Sequence, residues 1–334
     1  MAYDGSVLWS KNATARRAIA STTKIMTALV AMEENSPGDL VTASARAEAV
    51  GADDALVTEL ELTAGEKLTV EQLLYGLLLP SGSDAAVALA EHTAGTVERF
   101  AEMMNARARQ LGAINSHFTN ADGLDDAAAY STAYDLVLMT RAAMANPLFR
   151  KIVATPAFEI PWPGRPEPRR LVNRNQLLGR FPGTTGVKTG NTRRAGPSLV
   201  ASARRGEEER ISVILGSPDP FAESARVLEF GFSAFKRVTI VGARQQWGQL
   251  TYGDGTTYSL VSPREVTILM GAGSPPPRTR YRPAESELVV DVPGGLTIPL
   301  ELSCRDSPCG PPPRNPSAMA GFISLFAPVL ALFR

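Results

Sequence analysis

Ala20-Ser21-Thr22-Thr23-Lys24-Ile25-Met26-Thr27-Ala28 is the stretch from which the rest of the chain is read. A strand-like run at 6–9 and a Lys11-Asn12 turn precede it, and apolar residues continue at helical spacing after it. The pattern predicts a helix over 22–34 that Ser21 opens and Asn35-Ser36-Pro37-Gly38 ends, because Pro cannot continue the hydrogen-bond ladder. Three residues apart on a helix, the Ser21 hydroxyl and the Lys24 amine lie on neighbouring faces one turn apart, which suits a nucleophile and its base. The helix N-terminus would also aim free N–H groups and partial positive charge at the oxyanion formed when Ser21 attacks a carbonyl. A hydroxyl is a weak nucleophile, and a lysine can take its proton when burial or a second cation keeps the amine neutral. Taken alone, the pair also reads as a helix cap and an exposed amine.

Outward from this helix, residues 56–62 alternate apolar and polar, and Thr69-Val70-Glu71-Gln72 forms a capping box. Helical spacing continues over 70–79, 84–92, 97–111 and 134–144. Residues 158–170, rich in Pro and Arg, read as a loop, 189–203 and 210–215 as strands of a buried sheet, and 218–235 as a closing helix. Strands bracketing a helical insertion predict an α+β domain over 1–235. Short β-rich runs at 237–241, 258–261, 266–270 and 287–292 predict a small β domain over 236–306, followed by a Pro-rich linker (307–317) and an apolar tail (318–334). Two domains suit 334 residues, since cores divide beyond ~250–300 residues.

Composition narrows the function. Hydrophobic content of 44% with 20% charged residues fits a soluble globular protein, and Lys plus Arg balances Asp plus Glu at 34 each, which argues against nucleic acid as a partner. Cys304 and Cys309 could pair or remain free thiols. A zinc site needs three or four ligands and no His lies near them, so neither metal nor other cofactor is expected. No apolar segment follows a basic start, so no signal peptide is expected in this sequence.

Two further motifs carry chemistry. Ser81-Gly82-Ser83 forms a polar loop between apolar helices, where a hydroxyl could relay a proton to a leaving amine or simply cap the next helix. In Gly186-Val187-Lys188-Thr189-Gly190 a strand would offer a cation and a hydroxyl to a substrate carboxylate, with Gly190 allowing close backbone approach; a hairpin edge is the plainer reading.

The three motifs stand in the order found in penicillin-binding proteins and class A β-lactamases. With Leu79-Pro80-Ser81-Gly82, Asn120-Ala121-Asp122-Gly123-Leu124 and Asn173-Arg174-Asn175-Gln176-Leu177-Leu178, the sequence resembles the D-alanyl-D-alanine carboxypeptidase family of low-molecular-mass penicillin-binding proteins over about residues 5–235. The resemblance implies a β-lactamase/transpeptidase-like fold, with Ser21 as acylated nucleophile, Lys24 as general base and Ser81 as proton relay. It further implies that Ser83, Lys188, Thr189, Gly190 and Asn191 bind substrate, Lys188 and Thr189 taking its terminal carboxylate, and that the Ser21 and Asn191 N–H groups form the oxyanion hole. The implied substrate is a peptidoglycan stem peptide ending in D-Ala-D-Ala, with β-lactams as inhibitors and an extracytoplasmic location.

Ser83 stands where the family usually has Asn, and the chain begins about where the family's second strand begins. A β-lactamase would add a loop Glu-x-x-Leu-Asn segment, which is not evident between Ser83 and Lys188. A D,D-endopeptidase would use the same catalytic residues, and an impaired, binding-only protein is the non-catalytic alternative. His92 and His117 read as structural, and Asp125-Asp126 as a solvated turn. In the tail, Phe322, Phe326, Val329, Leu330 and Phe333 share one helical stripe; at about 16 residues it suits lying on a membrane surface rather than spanning one.

Overall fold

Side-chain caps set where five of the helices begin. Ser44, Thr69, Thr96, Thr132 and Asn146 each accept a hydrogen bond from a first-turn N–H, and Thr69 with Gln72 closes the capping box in both directions. A computed structural model describes residues 5–51, 57–251, 257–275, 277–282, 287–291, 296–303 and 323–325, and divides the chain into two units, Met1–Ser233 and Ala234–Arg334.

In the first unit a 3₁₀ turn, Ala20–Thr23, runs straight into α1 (Lys24–Glu34). β1 (Leu40–Thr42), α2 (Ala45–Ala49) and β2 (Lys67–Thr69), antiparallel to β1, lead to α3 (Val70–Leu78), α4 (Ser83–Ala94), α5 (Val97–Gln110), α6 (Ala133–Ala145) and α7 (Pro147–Ala154). Then come an antiparallel hairpin of β3 (Ala157–Ile160) and β4 (Arg169–Val172), the sheet strands β5 (Thr184–Gly190), β6 (Ser198–Arg205) and β7 (Glu208–Ile214), and α8 (Pro220–Ser233).

The sheet runs β5-β6-β7, antiparallel throughout, with helices on both faces. Alternation along β6 makes the two layers: Leu199, Ala201 and Ala203 pack with Leu228 of α8, while Val200 joins Val187 and Ile211 in the larger core with the helices. This is an α+β arrangement with a helical insertion. α1 is buried along Lys24–Ala31 and α4 over its first eight residues, so both are central helices rather than amphipathic surface ones.

Several local readings change. Residues 6–9 form no strand: Val7 and Trp9 are exposed while Leu8 lies against Gly231 of α8. Residues 57–62 are not a strand either, because the Leu60 and Leu62 N–H groups donate to Asp84 Oδ2 (2.7 and 3.1 Å) rather than to a ladder. The expected loop at 158–170 holds most of β3 and the first half of β4, and the expected single strand at 189–203 breaks at residues 191–197.

The second unit is antiparallel β structure. β8 (Phe235–Val241) pairs with β11 (Val266–Gly271); β9 (Gln246–Thr251), β10 (Thr257–Val261), β15 (Glu301–Ser303) and β16 (Ile323–Leu325) form a sheet in the order β15-β10-β9-β16; β12 (Thr279–Arg282), β13 (Glu287–Val290) and β14 (Leu296–Pro299) form a third. Val241, Trp247, Leu260, Leu288, Val290 and Ile298 make its core. Of the apolar tail only Ile323–Leu325 lies within the described residues, as a strand on β9 and not a helical turn. Cys304, Cys309 and the linker at 307–317 lie outside them. No helix among the described residues is long and apolar enough to cross a membrane.

Arg169, in a segment whose composition suggests a solvated loop, is 5% exposed because its guanidinium donates to both oxygens of Glu66, itself 2% exposed, and to the Glu61 carbonyl. Removing one partner of a buried pair strands a charge. Glu66→Ala is therefore expected to cost about 3–5 kcal/mol in urea unfolding, and the apolar double variant Glu66→Leu/Arg169→Met to recover most of it. An unaffected midpoint in the single variant would show that the pair does not hold the hairpin.

Candidate active site

The 3₁₀ turn decides how Ser21 meets Lys24. In this tighter helix, side chains at i and i+3 eclipse one another, so the lysine stands over the serine rather than beside it. Ile19 O accepts from the Thr22 N–H (3.2 Å) and from Thr22 Oγ1 (2.6 Å), and Ala20 takes a positive φ of 49° to deliver Ser21 at the mouth of the turn. Ser81 likewise has a φ of 80°. Such conformations cost non-glycine residues about 1–3 kcal/mol each and persist only where surrounding structure imposes them.

Lys24 is fully buried, and its Nζ donates to Ser21 Oγ (3.0 Å), Ser83 Oγ (3.2 Å) and the Asp122 carbonyl (2.7 Å). Burial lowers its pKa from 10.5 to about 8, opposed by the Asp122 and Asp84 charges and assisted by Arg174. A neutral amine has two N–H groups and one lone pair. The Asp122 carbonyl can only accept, so it takes one N–H; Ser83 can take the other, which leaves the lone pair for the Ser21 proton.

Each partner is fixed by its own fold element. Ser83 opens α4, and its N–H donates to the Thr58 carbonyl (2.8 Å). Its hydroxyl makes no helix cap but faces Lys24, so replacing the family's Asn leaves the amine contact in place. Ser81 lines the cleft, and its hydroxyl has no hydrogen bond among the described residues. Asp84 is buried, with its carboxyl pKa raised by desolvation despite the N–H donors of Leu62, Ala85 and Leu60.

From the sheet side, β5 brings Thr189 and Gly190 to the same cleft, with Asn191 just beyond, whereas the predicted site residue Lys188 is buried and does not line it. Lys188 is 1% exposed, donates to the Thr189 carbonyl (2.9 Å), and has its pKa pushed well down by burial and by the nearby cations Lys24 and Arg174. A Cβ on Gly190 would come within 3.1 Å of the Ile19 carbonyl and the Thr22 N–H, so the missing side chain is what lets the strand end reach the serine turn. The open cleft holds about 1400 Å³ and is lined by Ser21, Ser81, Ser83, Thr189 and Asn191 among others.

Arg174 was not singled out from the sequence as a site residue. Its N–H donates to the Leu79 carbonyl (3.2 Å), Asn173 and Asn175 bond the backbone on either side, and the residue borders the cleft. The Asn-Arg-Asn pattern was the available signal. Asp125 also lines the cleft. His92 is exposed, His117 is bridged to Tyr130, and neither borders the cleft. Among the described residues no group of His, Cys, Asp and Glu could hold a metal ion.

The D-alanyl-D-alanine carboxypeptidase family model matches residues 2–219. The D-alanyl-D-alanine carboxypeptidase DacF of Bacillus subtilis is 37% identical over 241 residues, 70% of this chain and 60% of that protein, so this chain matches less than two thirds of that relative's length. The D-alanyl-D-alanine carboxypeptidase of Streptomyces sp. strain K15 is 36% identical over 245 residues, 69% of this chain and 84% of the relative. Among solved structures, the Streptomyces K15 DD-transpeptidase superposes with a TM-score of 0.65 at 35% identity, over 70% of this chain and 94% of that one. The carboxypeptidase DacD from Francisella tularensis gives 0.73 at 25% identity, over 90% and 91%. On the family match, these relatives and the shared fold, the chain belongs to the D-alanyl-D-alanine carboxypeptidase family.

Proposed function

We propose that this chain is a serine-type D-Ala-D-Ala carboxypeptidase that removes the terminal D-alanine from peptidoglycan stem peptides through an acyl-enzyme on Ser21. The observation that carries the reading is the Lys24 amine, 3.0 Å from Ser21 Oγ and with its pKa lowered to about 8. Ser21 Oγ attacks the penultimate carbonyl as its proton passes to Lys24, and the oxyanion is held by the Ser21 and Asn191 N–H groups. Ser81, at the cleft wall, relays that proton to the leaving D-alanine amine, whose C–N bond breaks. Water then attacks the ester, giving its proton to Lys24, and the shortened peptide leaves with Ser21 restored.

Lys188 and Thr189 take the terminal carboxylate, and Arg174 adds positive potential at the same end of the cleft. An arriving carboxylate favours the protonated form of Lys188, with which it would pair. The same pocket takes β-lactams. That Ser83 reaches Lys24 favours turnover over a binding-only protein. The family's substrate supports a location outside the cytoplasm, with the apolar tail at 318–334 as the candidate contact to a membrane surface and the β unit as a spacer.

Incubation with benzylpenicillin followed by intact-protein mass spectrometry should give one penicilloyl adduct, absent in Ser21→Ala; a well-folded wild type without adduct would sink the reading. Acylation should quicken as pH rises and level off above about 8, where Lys24 is neutral, and a flat profile would remove Lys24 as base. The same shift affects stability. Because the folded-state pKa lies below 10.5, the cost of burying the charged amine is full below about 8 and disappears between about 8 and 10.5, so this group's contribution to stability grows with pH across that window.

A further inference from the structure

The turn that carries Asn191 is held from outside its own strand pair. Past Gly190, opposite Ser198, residues 191–197 leave the ladder, and Asn191, Arg193 and Arg194 are exposed. Within the turn, the Gly196 N–H donates to the Thr192 carbonyl (3.0 Å) and the Ala195 N–H to Thr192 Oγ1 (3.2 Å). Ser198 Oγ donates to the Gly196 carbonyl (3.2 Å) and the Ser217 N–H to the Pro197 carbonyl (3.0 Å), which hold the end of the turn. At its start the restraint comes from one distant carboxylate. Asp125 Oδ1 accepts from Thr192 Oγ1 at 2.6 Å, and Oδ2 accepts from the Arg194 N–H at 3.0 Å. The Arg194 guanidinium returns the contact by donating to the Asp126 and Ala127 carbonyls.

The loop that bears Asp125 is anchored at the nucleophile. Asn120 Oδ1 accepts from the Gly123 N–H (2.8 Å), Asn120 Nδ2 donates to the Leu124 carbonyl (3.1 Å), and the Asp122 carbonyl receives the Lys24 amine (2.7 Å). Gly123, with φ of 82°, lies so close to Ala20 that an added Cβ would stand 2.1 Å from the Ala20 carbonyl oxygen. One loop thus touches the residue before Ser21, the base, and the turn beyond β5.

We infer that Asp125 is a positioning residue for the oxyanion hole, clamping the 191–197 turn to the loop that holds Ser21 and Lys24. The inference rests on the acyl-transfer reading above, in which the Asn191 N–H is an oxyanion donor. An oxyanion donor must stand about 2.7–3.1 Å from where the charge develops, a tolerance that an exposed turn does not meet by itself. Donors at residues 192 and 194 bound to the two oxygens of one carboxylate restrain both the position and the rotation of the peptide next to Asn191. The same hole serves formation and hydrolysis of the ester, so its positioning residue acts on both steps.

Rapid-quench acylation by benzylpenicillin, with release of the penicilloyl group followed separately, tests this. In Asp125→Ala both rate constants should fall about tenfold or more, below the loss expected on deleting a donor outright. The noncovalent affinity, the position of the pH profile and the thermal midpoint should stay as in wild type. Thr192→Val should act in the same direction, Thr192→Ser should restore the rate, and Asp126→Ala should change nothing. Should Asp125→Ala fail to fold, the Thr192 pair carries the test. Wild-type acylation in Asp125→Ala, or a loss confined to one step, would overturn the clamp. A wild type that takes no penicillin defeats the carboxypeptidase reading instead; hydrogen exchange at residues 191–195 then decides the clamp, faster in Asp125→Ala if it exists and unchanged if it does not.

Discussion

A lysine amine buried without a carboxylate partner is the constraint around which the catalytic unit is organised. Asp84 and Asp122 are near enough for their charges to raise the Lys24 pKa, yet neither carboxylate touches the amine. Asp84 is engaged by the N–H groups of Leu60, Leu62 and Ala85, and Asp122 Oδ1 by that of Leu124 (3.1 Å). What reaches Nζ is two hydroxyls and one carbonyl, groups that solvate the amine without fixing its proton. A direct ion pair would hold Lys24 as ammonium and remove it as a base. The acids instead tie the surrounding loops, so the same residues that would ruin the chemistry by contact support it at one remove.

That arrangement requires three parts of the chain to converge on a four-residue turn, and two glycines make the convergence possible. Gly123 brings the 120–125 loop against Ala20 from the helical side, and Gly190 brings β5 against Ile19 and Thr22 from the sheet side. At Gly123 a side chain would collide with backbone, which cannot swing away as a side-chain tip can, and at Gly190 a Cβ would press on backbone at 3.1 Å, so that the neighbouring turn would have to give. The turn is therefore gripped on two sides, and its uncommon conformation at Ala20 is imposed by this packing rather than by its own propensity.

Much of the site could be read from the sequence because its chemistry is carried by short segments: Ser21 with Lys24, Ser81 with Ser83, and Lys188 to Asn191 are each local. The central helices were readable from apolar spacing and the capping box at Thr69. What escaped depends on partners far along the chain. Arg169 looks solvated until Glu66, 103 residues away, buries it. Residues 57–62 alternate like a strand, but their N–H groups find Asp84 instead of a neighbouring strand. Asp125 has the composition of a solvated turn and is exposed, yet both its oxygens are bonded to residues 67 and 69 positions later. Local propensity carries no information about such pairings.

Ser83 shows the difference between a motif as a pattern and as a geometry. The family position usually carries an amide, which accepts through oxygen and donates through nitrogen at once; a hydroxyl does both through a single atom. Held at the first position of α4 and 2% exposed, Ser83 reaches the amine at 3.2 Å, so the accepting half of the task survives the shorter side chain. Its one proton remains for a group on the cleft side, which it also lines. Because accepting and donating now share one oxygen, a shift of Ser83 toward a ligand would loosen its hold on Lys24, whereas an amide could satisfy both from separate atoms. The substitution therefore couples base positioning to ligand contact more tightly than the usual residue does.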